Sequence, residues 1–362
     1  MLKTLDKYII KKYLTTFFYC VMIFSIVAVA IDFSEKVDDY IEDNIPIKSF
    51  IKDYYVNYIP HINGLLWPVY AMLTVIFFTS RMAYNSEIIS IFNAGTSFYR
   101  LMWPYFIAGA IVSALHLFGN HFVIPHANKG RVHFENTYIW KFNYEGKTKD
   151  IHMYLNDSIK MYMRRYSVRD SLAYDFTLEE FENSKLKSKL FAARAEYQKE
   201  EQIWRLRNYR VRTISPDGMY ETLTSGKVLD TMLNVAPGDL ERRDNMKETM
   251  TTPELVKFIN AEKKRGARGL TVFEVERHRR TADAFTVFIL TFIGMAVASR
   301  KVRGGMGLHL AIGAGLSASY VFLSKFSMTF STSGNWPPAI GVWIPNIIFV
   351  FVIIVLIVRA QK

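Results

Sequence analysis

The chain holds a single cysteine, Cys20, in 362 residues. No intramolecular disulfide is available, and Cys20, inside an apolar run, reads as a small packing residue. Charge is missing from long tracts. Leu14–Ile31, Tyr54–Ser80, Leu101–Asn128, Ala284–Ser299, Gly304–Ser324 and Phe326–Val358 contain no Asp, Glu, Lys or Arg. A helix needs about 20 apolar residues to cross a bilayer, so these runs predict six membrane spans, the fourth being the shortest. A soluble globular fold is excluded. Leu14–Ile31 reads as a retained first span, because the Asp32-Phe33-Ser34-Glu35 that follows has no small-residue cleavage signature.

Catalytic signatures are also missing. Glu145-Gly-Lys-Thr148 ends like a phosphate loop, but that loop needs a glycine five residues before Gly146 and the chain has Lys141 there. HExxH, paired CxxC and GxSxG do not occur. His116, His121 and His126 are spaced by fives, which does not bring three ligands to one helical face. Packing and hydrogen bonding are expected of them, with no metal, no cofactor and no enzymatic activity in this chain.

What the chain has is positive charge, a net of +12. The cations bracket spans instead of interleaving with stacking aromatics, which argues against nucleic acid. Lys3, Lys7, Lys11 and Lys12 precede the first run, Arg300, Lys301 and Arg303 separate spans four and five, and Arg359 and Lys362 end the chain. Basic excess marks cytoplasmic loops, so both termini are expected inside. The acid-rich loop Asp32–Asp53 and the stretch Ala127–Asp283 then fall outside.

That second stretch reads as strands. Ile151–Leu155, Lys160–Arg164, Ala173–Leu178, Phe191–Tyr197 and Trp204–Arg212 show partial two-residue alternation, broken by turn signals at Asn156-Asp157 and Pro216-Asp217-Gly218. Short strands at this spacing suggest a sandwich or jelly roll. Thr252 as N-cap and Pro253 at the first helical position then start a helix, and Glu262–Arg268 reads as a solvated charged segment. The expected organisation is spans one to three over 1–126, an extracytoplasmic all-β jelly-roll-like domain with a connecting helix over 127–271, and spans four to six over 272–362.

Between spans two and three, RMAYNSEIISIFNAGTSFYR (Arg81–Arg100) predicts a short helix over about 86–94. Asn85 caps it, Glu87 favours its positive end and Gly95 stops it. Ile88, Ile91 and Phe92 share one face. A helix so short does not stand alone in water, so that face must dock, on a soluble ATPase or at the membrane interface.

The pieces taken in order resemble the LptF/LptG permeases of the lipopolysaccharide-export ABC transporter. They are Leu5-Asp6-Lys7-Tyr8, Ser86-Glu87-Ile88 with Ala94-Gly95, Val123-Ile124-Pro125, Glu276-Arg-His-Arg-Arg280, Arg303-Gly-Gly-Met-Gly307, and Pro337-Pro338 with Trp343-Ile-Pro-Asn346. The opening and closing motifs are more similar to LptG. The resemblance implies an inner-membrane permease working in a heterodimer of two such chains. Its partners are an LptB-like ATPase dimer, which holds the ATP and Mg, and an LptC/LptA-like periplasmic bridge. Lipopolysaccharide enters between spans one and five and the short helix is the coupling element, with Ser86, Glu87, Ile88, Ile91, Phe92 and Gly95 engaging the ATPase and Glu87 meeting an arginine there. Phe18, Met22 and Val27 with Leu308, Ile312 and Leu316 are the implied acyl-chain lining.

One departure stands out. Where family members carry a lysine that touches lipid A phosphates, this chain has Asp32. Substitutes at similar depth are Lys36, Lys129 and Arg131, then Arg277, Arg279 and Arg280, and Lys325, the arginines being suited to bidentate phosphate binding. The alternatives are snorkelling for the arginines and, for the chain, a different ATP-driven lipid or lipoprotein export permease, or a receptor or scaffold that transports nothing.

Overall fold

The computed structural model describes residues 3–42, 46–139, 149–155, 158–167, 170–182, 185–215, 219–233, 235, 246–264, 270–300, 305–333 and 336–360. The phosphate-loop-like Glu145–Thr148, the turn signals at 156–157 and 216–218, Arg265–Arg268, Lys301, Arg303 and Lys362 lie outside them.

Six described helices are long and apolar enough to span a membrane. They are α1 (Thr4–Glu42), α2 (Ile47–Tyr84), α4 (Phe98–Ile139), α7 (Thr271–Ala298), α8 (Gly305–Thr332) and α9 (Pro338–Ala360). The short α3 (Glu87–Asn93) joins α2 to α4. Helix outruns the charge-free tracts. The loop expected over Asp32–Asp53 is helical up to Glu42 and again from Ile47, so α1 is 39 residues, roughly 58 Å at 1.5 Å per residue. The insertion narrows at its start for the same reason, because α4 continues to Ile139. The charge-free run Phe326–Val358 is not one helix: α8 stops at Thr332 and Pro338 opens α9, as proline suits a first helical position.

The chain divides into two compact units. One comprises Met1–Ile139, Glu248–Thr252 and Thr271–Lys362, the other Trp140–Lys247 and Pro253–Leu270. In the first, α7 is the central helix, with much of its length buried against α2, α4 and α9. Small residues allow this approach. A Cβ on Gly294 would stand 3.2 Å from the Met72 carbonyl oxygen, and one on Gly109 3.1 Å from the Thr291 side chain. Tyr13 and Thr291 add a buried hydroxyl pair at 2.7 Å between α1 and α7.

The second unit holds β1 (Lys149–Tyr154), β2 (Ile159–Ser167), β3 (Leu172–Glu182), β4 (Lys185–Gln198), β5 (Ile203–Ile214) and β6 (Glu221–Thr231). They form one antiparallel sheet in sequence order, between the third and fourth spans in the chain. Met161, Met163, Phe176, Ala192, Trp204 and Leu206 lie in its core. The Trp204 indole donates to the Val235 carbonyl at 2.8 Å. Two short helices follow, α5 (Met246–Thr249) and α6 (Thr252–Lys264). The second starts one residue before expectation, leaving Pro253 in its first turn.

All six strands cross one irregularity. Ile151, Met163, Phe176, Ala192, Tyr209 and Gly226 pair in one row, and Lys149, Arg165, Tyr174, Arg194, Arg207 and Val228 in another. Between these rows each strand has one residue outside the ladder. Asp150, Asp175 and Asn208 there, on alternate strands, have φ of 51°, 50° and 54°, left-handed values that Asp and Asn tolerate better than most residues. The sheet is therefore creased. Inward positions jump by three, from Met163 to Tyr166 and from Ala192 to Ala195, while two consecutive residues such as Arg164 and Arg165 face outward.

Candidate functional site

The turn between α2 and α4 is built differently from its sequence signals. Asn85 ends α2, its N–H bonding back to the Arg81 carbonyl at 3.0 Å. Ser86, not Asn85, occupies the N-cap position of α3, in a left-handed conformation with φ of 63° and no side-chain cap. A left-handed corner lets α2 turn sharply into α3, which an extended Asn cap would not. The other end follows expectation. Gly95, at φ 80°, donates to Phe92 at 2.9 Å and Thr96 to Ile91 at 3.3 Å, a Schellman closure.

The apolar face of α3 docks on its own chain. Ile88 is buried in the cluster that includes Ile9 and Tyr13 of α1, Met82 of α2 and Leu101 of α4, and Ile91 and Phe92 pack on its edge. The face left exposed carries Ile89, Ser90 and Asn93, flanked by Tyr84 and Tyr99. Glu87 accepts from the Tyr8 hydroxyl at 3.0 Å through Oε2, with Lys12 Nζ 3.7 Å from the same oxygen. Its Oε1 has no hydrogen bond among the described residues. Arg100, in the first turn of α4, clasps Asp6 in the first turn of α1, and Asp6 also accepts from the Lys3 backbone N–H at 2.8 Å. The sequence reading assigned no role to Tyr8, Lys12, Asp6 or Arg100. Only Asp6 and Tyr8 carried a signal, the Leu5-Asp6-Lys7-Tyr8 motif, and their partners Arg100 and Glu87 stand 94 and 79 residues away in sequence.

At the opposite end of α1, Asp32 and Lys36 share one turn. Lys36 Nζ lies 2.7 Å from Asp32 and 3.7 Å from Glu135, donates to the Tyr54 hydroxyl, and sits 4.6 Å from the centre of the Tyr54 ring. Arg131 holds Glu135 at 2.8 and 2.9 Å. Lys36 and Arg131 are thus matched by two acids, while Lys129 is exposed with no ion pair among the described residues.

The α7 arginines separate into three environments. Arg280 is buried, bonded to Glu276 at 3.0 Å and to Thr252 at 3.0 Å, so its guanidinium is structural. Among the described residues, Arg277 bonds only to the His278 ring, at 3.0 Å. Arg279 binds Glu276 at 2.9 Å and reaches Asp283 at 3.4 Å, and with Asp283 and Lys325 it lines a cleft between α2, α7 and α8 that also exposes Leu65 and Pro68. Two phosphate candidates on different helices, Arg279 of α7 and Lys325 of α8, therefore come together. Two histidines of α4 make hydrogen bonds, His116 to the Gly64 carbonyl at 3.0 Å and His121 to Thr281 at 3.3 Å.

Phe18, Met22 and Val27 on α1 and Leu308 and Ile312 on α8 are exposed. Leu316 differs: it packs into the cluster of Met72, Ile293 and Phe349. The most apolar stretch of α1 has 6% of its residues buried and that of α8 22%, against 72% for α7. Among the described spans, those of α1 and α8 are therefore the least covered.

Among curated proteins, none matches the chain. The family model described as lipopolysaccharide export system permease LptF/LptG matches residues 7–359, which takes in the short helix, the sheet and all six spans. A multi-pass membrane chain with these motifs in this order belongs to the LptF/LptG family of lipopolysaccharide export permeases.

Proposed function

We propose that the chain is one of a heterodimeric LptF/LptG pair that extracts lipopolysaccharide from the bacterial inner membrane, driven by a cytoplasmic LptB-like ATPase dimer that binds the ATP and Mg. The termini and α3 face the cytoplasm and the sheet faces the periplasm, passing lipid to an LptC/LptA-like bridge. The observation that carries this reading is the bareness of α1 and α8, whose exposed side chains include Phe18, Met22, Leu308 and Ile312. In a family of lipid exporters such a surface suits acyl chains held between two paralogous subunits.

The contacts of α3 support a path for the work done by the ATPase. The exposed face and the free oxygen of Glu87 receive the partner, and its buried face pushes on α1, α2 and α4. Because Glu87 is also tied to Tyr8 and Lys12, displacement of α3 reaches α1 directly, the helix that lines the lipid cavity. Lys325 and Lys129 are the cations best placed for lipid A phosphates; Arg279 shares the cleft of Lys325 but is already held by Glu276 and Asp283. Lys36 and Arg131 already have acidic partners, and Arg280 is enclosed.

The test is ATP-driven lipopolysaccharide extraction from vesicles containing this chain, its paralogue and the ATPase. Glu87→Ala is expected to abolish extraction while leaving membrane insertion intact. Extraction at the normal rate would sink the coupling role. Failure of this chain to co-purify with an ATPase and a second six-span subunit would favour the receptor or scaffold reading.

A further inference from the structure

The face of the sheet opposite its core carries a row of cations that the coupling scheme does not use. Lys149, Arg165, Tyr174, Arg194 and Arg207 are successive cross-strand partners on β1 to β5. Lys149 stands opposite Arg165 and Arg194 opposite Arg207, and like charges directly opposite on a sheet repel. Nearby acids leave most of the row uncancelled. Asp175 is taken by Arg164 at 2.6 Å, Glu196 by Arg207 at 3.3 Å, and Asp150 accepts from the Tyr162 hydroxyl at 2.9 Å.

Lys149, Arg165 and Arg194 have no ion pair among the described residues. The two guanidiniums instead lie 4.9 and 5.9 Å from the centre of the Tyr174 ring. An aromatic ring fixes a guanidinium while its N–H edge remains available for an oxyanion. Lys149, Arg164, Arg165 and Tyr174 line an open cleft at this point of the crease, together with Asp150, whose carboxylate accepts from Tyr162. The local backbone therefore departs from regular sheet where it gathers mutually repelling cations, an arrangement that an anion would stabilise.

We propose that the crease binds phosphate groups on the sugar portion of the exported glycolipid. This rests on the export reading for the identity of the ligand, and on the sheet alone for its chemistry. Sugar phosphates supply the tetrahedral oxyanion that a fixed guanidinium pair grips bidentately. The exposed position suits the hydrophilic part of the lipid and not its acyl chains.

The full-length chain in nanodiscs is titrated with fully deacylated lipopolysaccharide that retains its phosphates, and with the same saccharide after enzymatic dephosphorylation. The phosphorylated saccharide is expected to bind about tenfold more tightly or better, and Arg165→Gln with Arg194→Gln to remove that preference. Lys185→Gln with Lys199→Gln, which removes equal charge elsewhere on the unit, is expected to bind like the native chain. Equal affinity for the two saccharides, or an equal loss in the Lys185/Lys199 control, overturns the proposal. Arg165→Gln alone carries the same readout should the double variant not fold. Relief of repulsion predicts that it melts no lower than the native protein.

The two readings fail separately. A complex that extracts lipopolysaccharide normally but shows no phosphate preference in this titration loses the crease and keeps the export assignment. Phosphate-selective binding in a chain whose Glu87→Ala variant still extracts lipid keeps the crease and loses the coupling role.

Discussion

Arg100 holds Asp6 through two parallel hydrogen bonds of 2.8 and 2.7 Å across 94 residues of sequence. The pair locks the first turn of α4 to the first turn of α1. An arginine at a helix N-terminus is unfavourably placed against the helix dipole, whereas an aspartate is well placed, so Asp6 answers both its own helix and the misplaced cation. Asp6→Asn and Arg100→Gln are each expected to lower the melting temperature, with the double variant losing less than the sum of the two. Additive losses in a thermal melt of the purified protein would show that the pair is not coupled. The charge-swapped Asp6→Arg/Arg100→Asp chain should recover only in part, because an arginine at position 6 cannot accept the Lys3 backbone N–H.

Tyr8 separates the two roles of Glu87. Tyr8→Phe removes the 3.0 Å hydrogen bond that ties Glu87 to α1 but leaves the carboxylate free to meet a partner. ATPase association measured by co-purification is expected to be unchanged while ATP-driven extraction falls, by less than in Glu87→Ala. Loss of association in Tyr8→Phe would mean that the hydroxyl positions the carboxylate for docking and transmits nothing.

Six spans and an inserted β domain were legible because missing charge and strand-length alternation are local properties. The limits of legibility are physical. Polar helix beyond the bilayer carries no hydropathy signal, so Asp32–Glu42 read as loop. β6 was not recognised because Glu221–Thr231 is an edge strand with little buried surface and so shows no alternation. The crease shifts the inward positions by one residue in every strand, which is why alternation was only partial. The ties of Glu87 to Tyr8 and of Asp6 to Arg100 are long-range and leave no periodic trace. Ser86 and Gly95 show the contrast within one turn: glycine announces a left-handed residue, and serine does not.

Gly294 marks a close approach of α7 to α2. A Cβ there would lie 3.2 Å from the Met72 carbonyl oxygen and 3.3 Å from the Val75 side chain, and a backbone oxygen cannot swing aside as a flexible side chain does. Gly294→Val is expected to destabilise the helical unit by about 1–3 kcal/mol through overpacking, and Gly294→Ala by less. Denaturant titration in detergent measures both, and equal stability of Val and Gly at this position would show that α2 and α7 separate freely.

Trp204 anchors the sheet core, fully buried, with Tyr197 edge-on at 5.3 Å. Trp204→Ala should cost about 3–5 kcal/mol as a large cavity opens. Trp204→Phe should cost about 1–2 kcal/mol, mainly from the unsatisfied Val235 carbonyl. The order Ala below Phe below Trp in unfolding midpoint is the expected result, and a Phe variant as damaging as Ala would assign the anchoring to the indole hydrogen bond.

Two exposed ion pairs fasten β6 and give it a pH dependence of known sign. Hydrogen bonds from Arg205 and Arg212 hold the carboxyls of Asp230 and Glu221 below their usual values of 3.8 and 4.5. A depressed folded-state value means that the stabilisation is complete above the unfolded-state value and disappears as pH falls through the folded one. The window therefore opens near pH 4.5 and runs downward, and nothing changes between pH 6 and 8. Both pairs are open to solvent, so the effect is small and salt-sensitive. Hydrogen exchange, corrected for its intrinsic pH dependence, should show β6 losing protection before β3 and β4 on acidification. Asp230→Asn with Glu221→Gln should remove that difference, and a β6 that loosens at the same pH in the doubly neutralised chain would place the trigger elsewhere in the sheet.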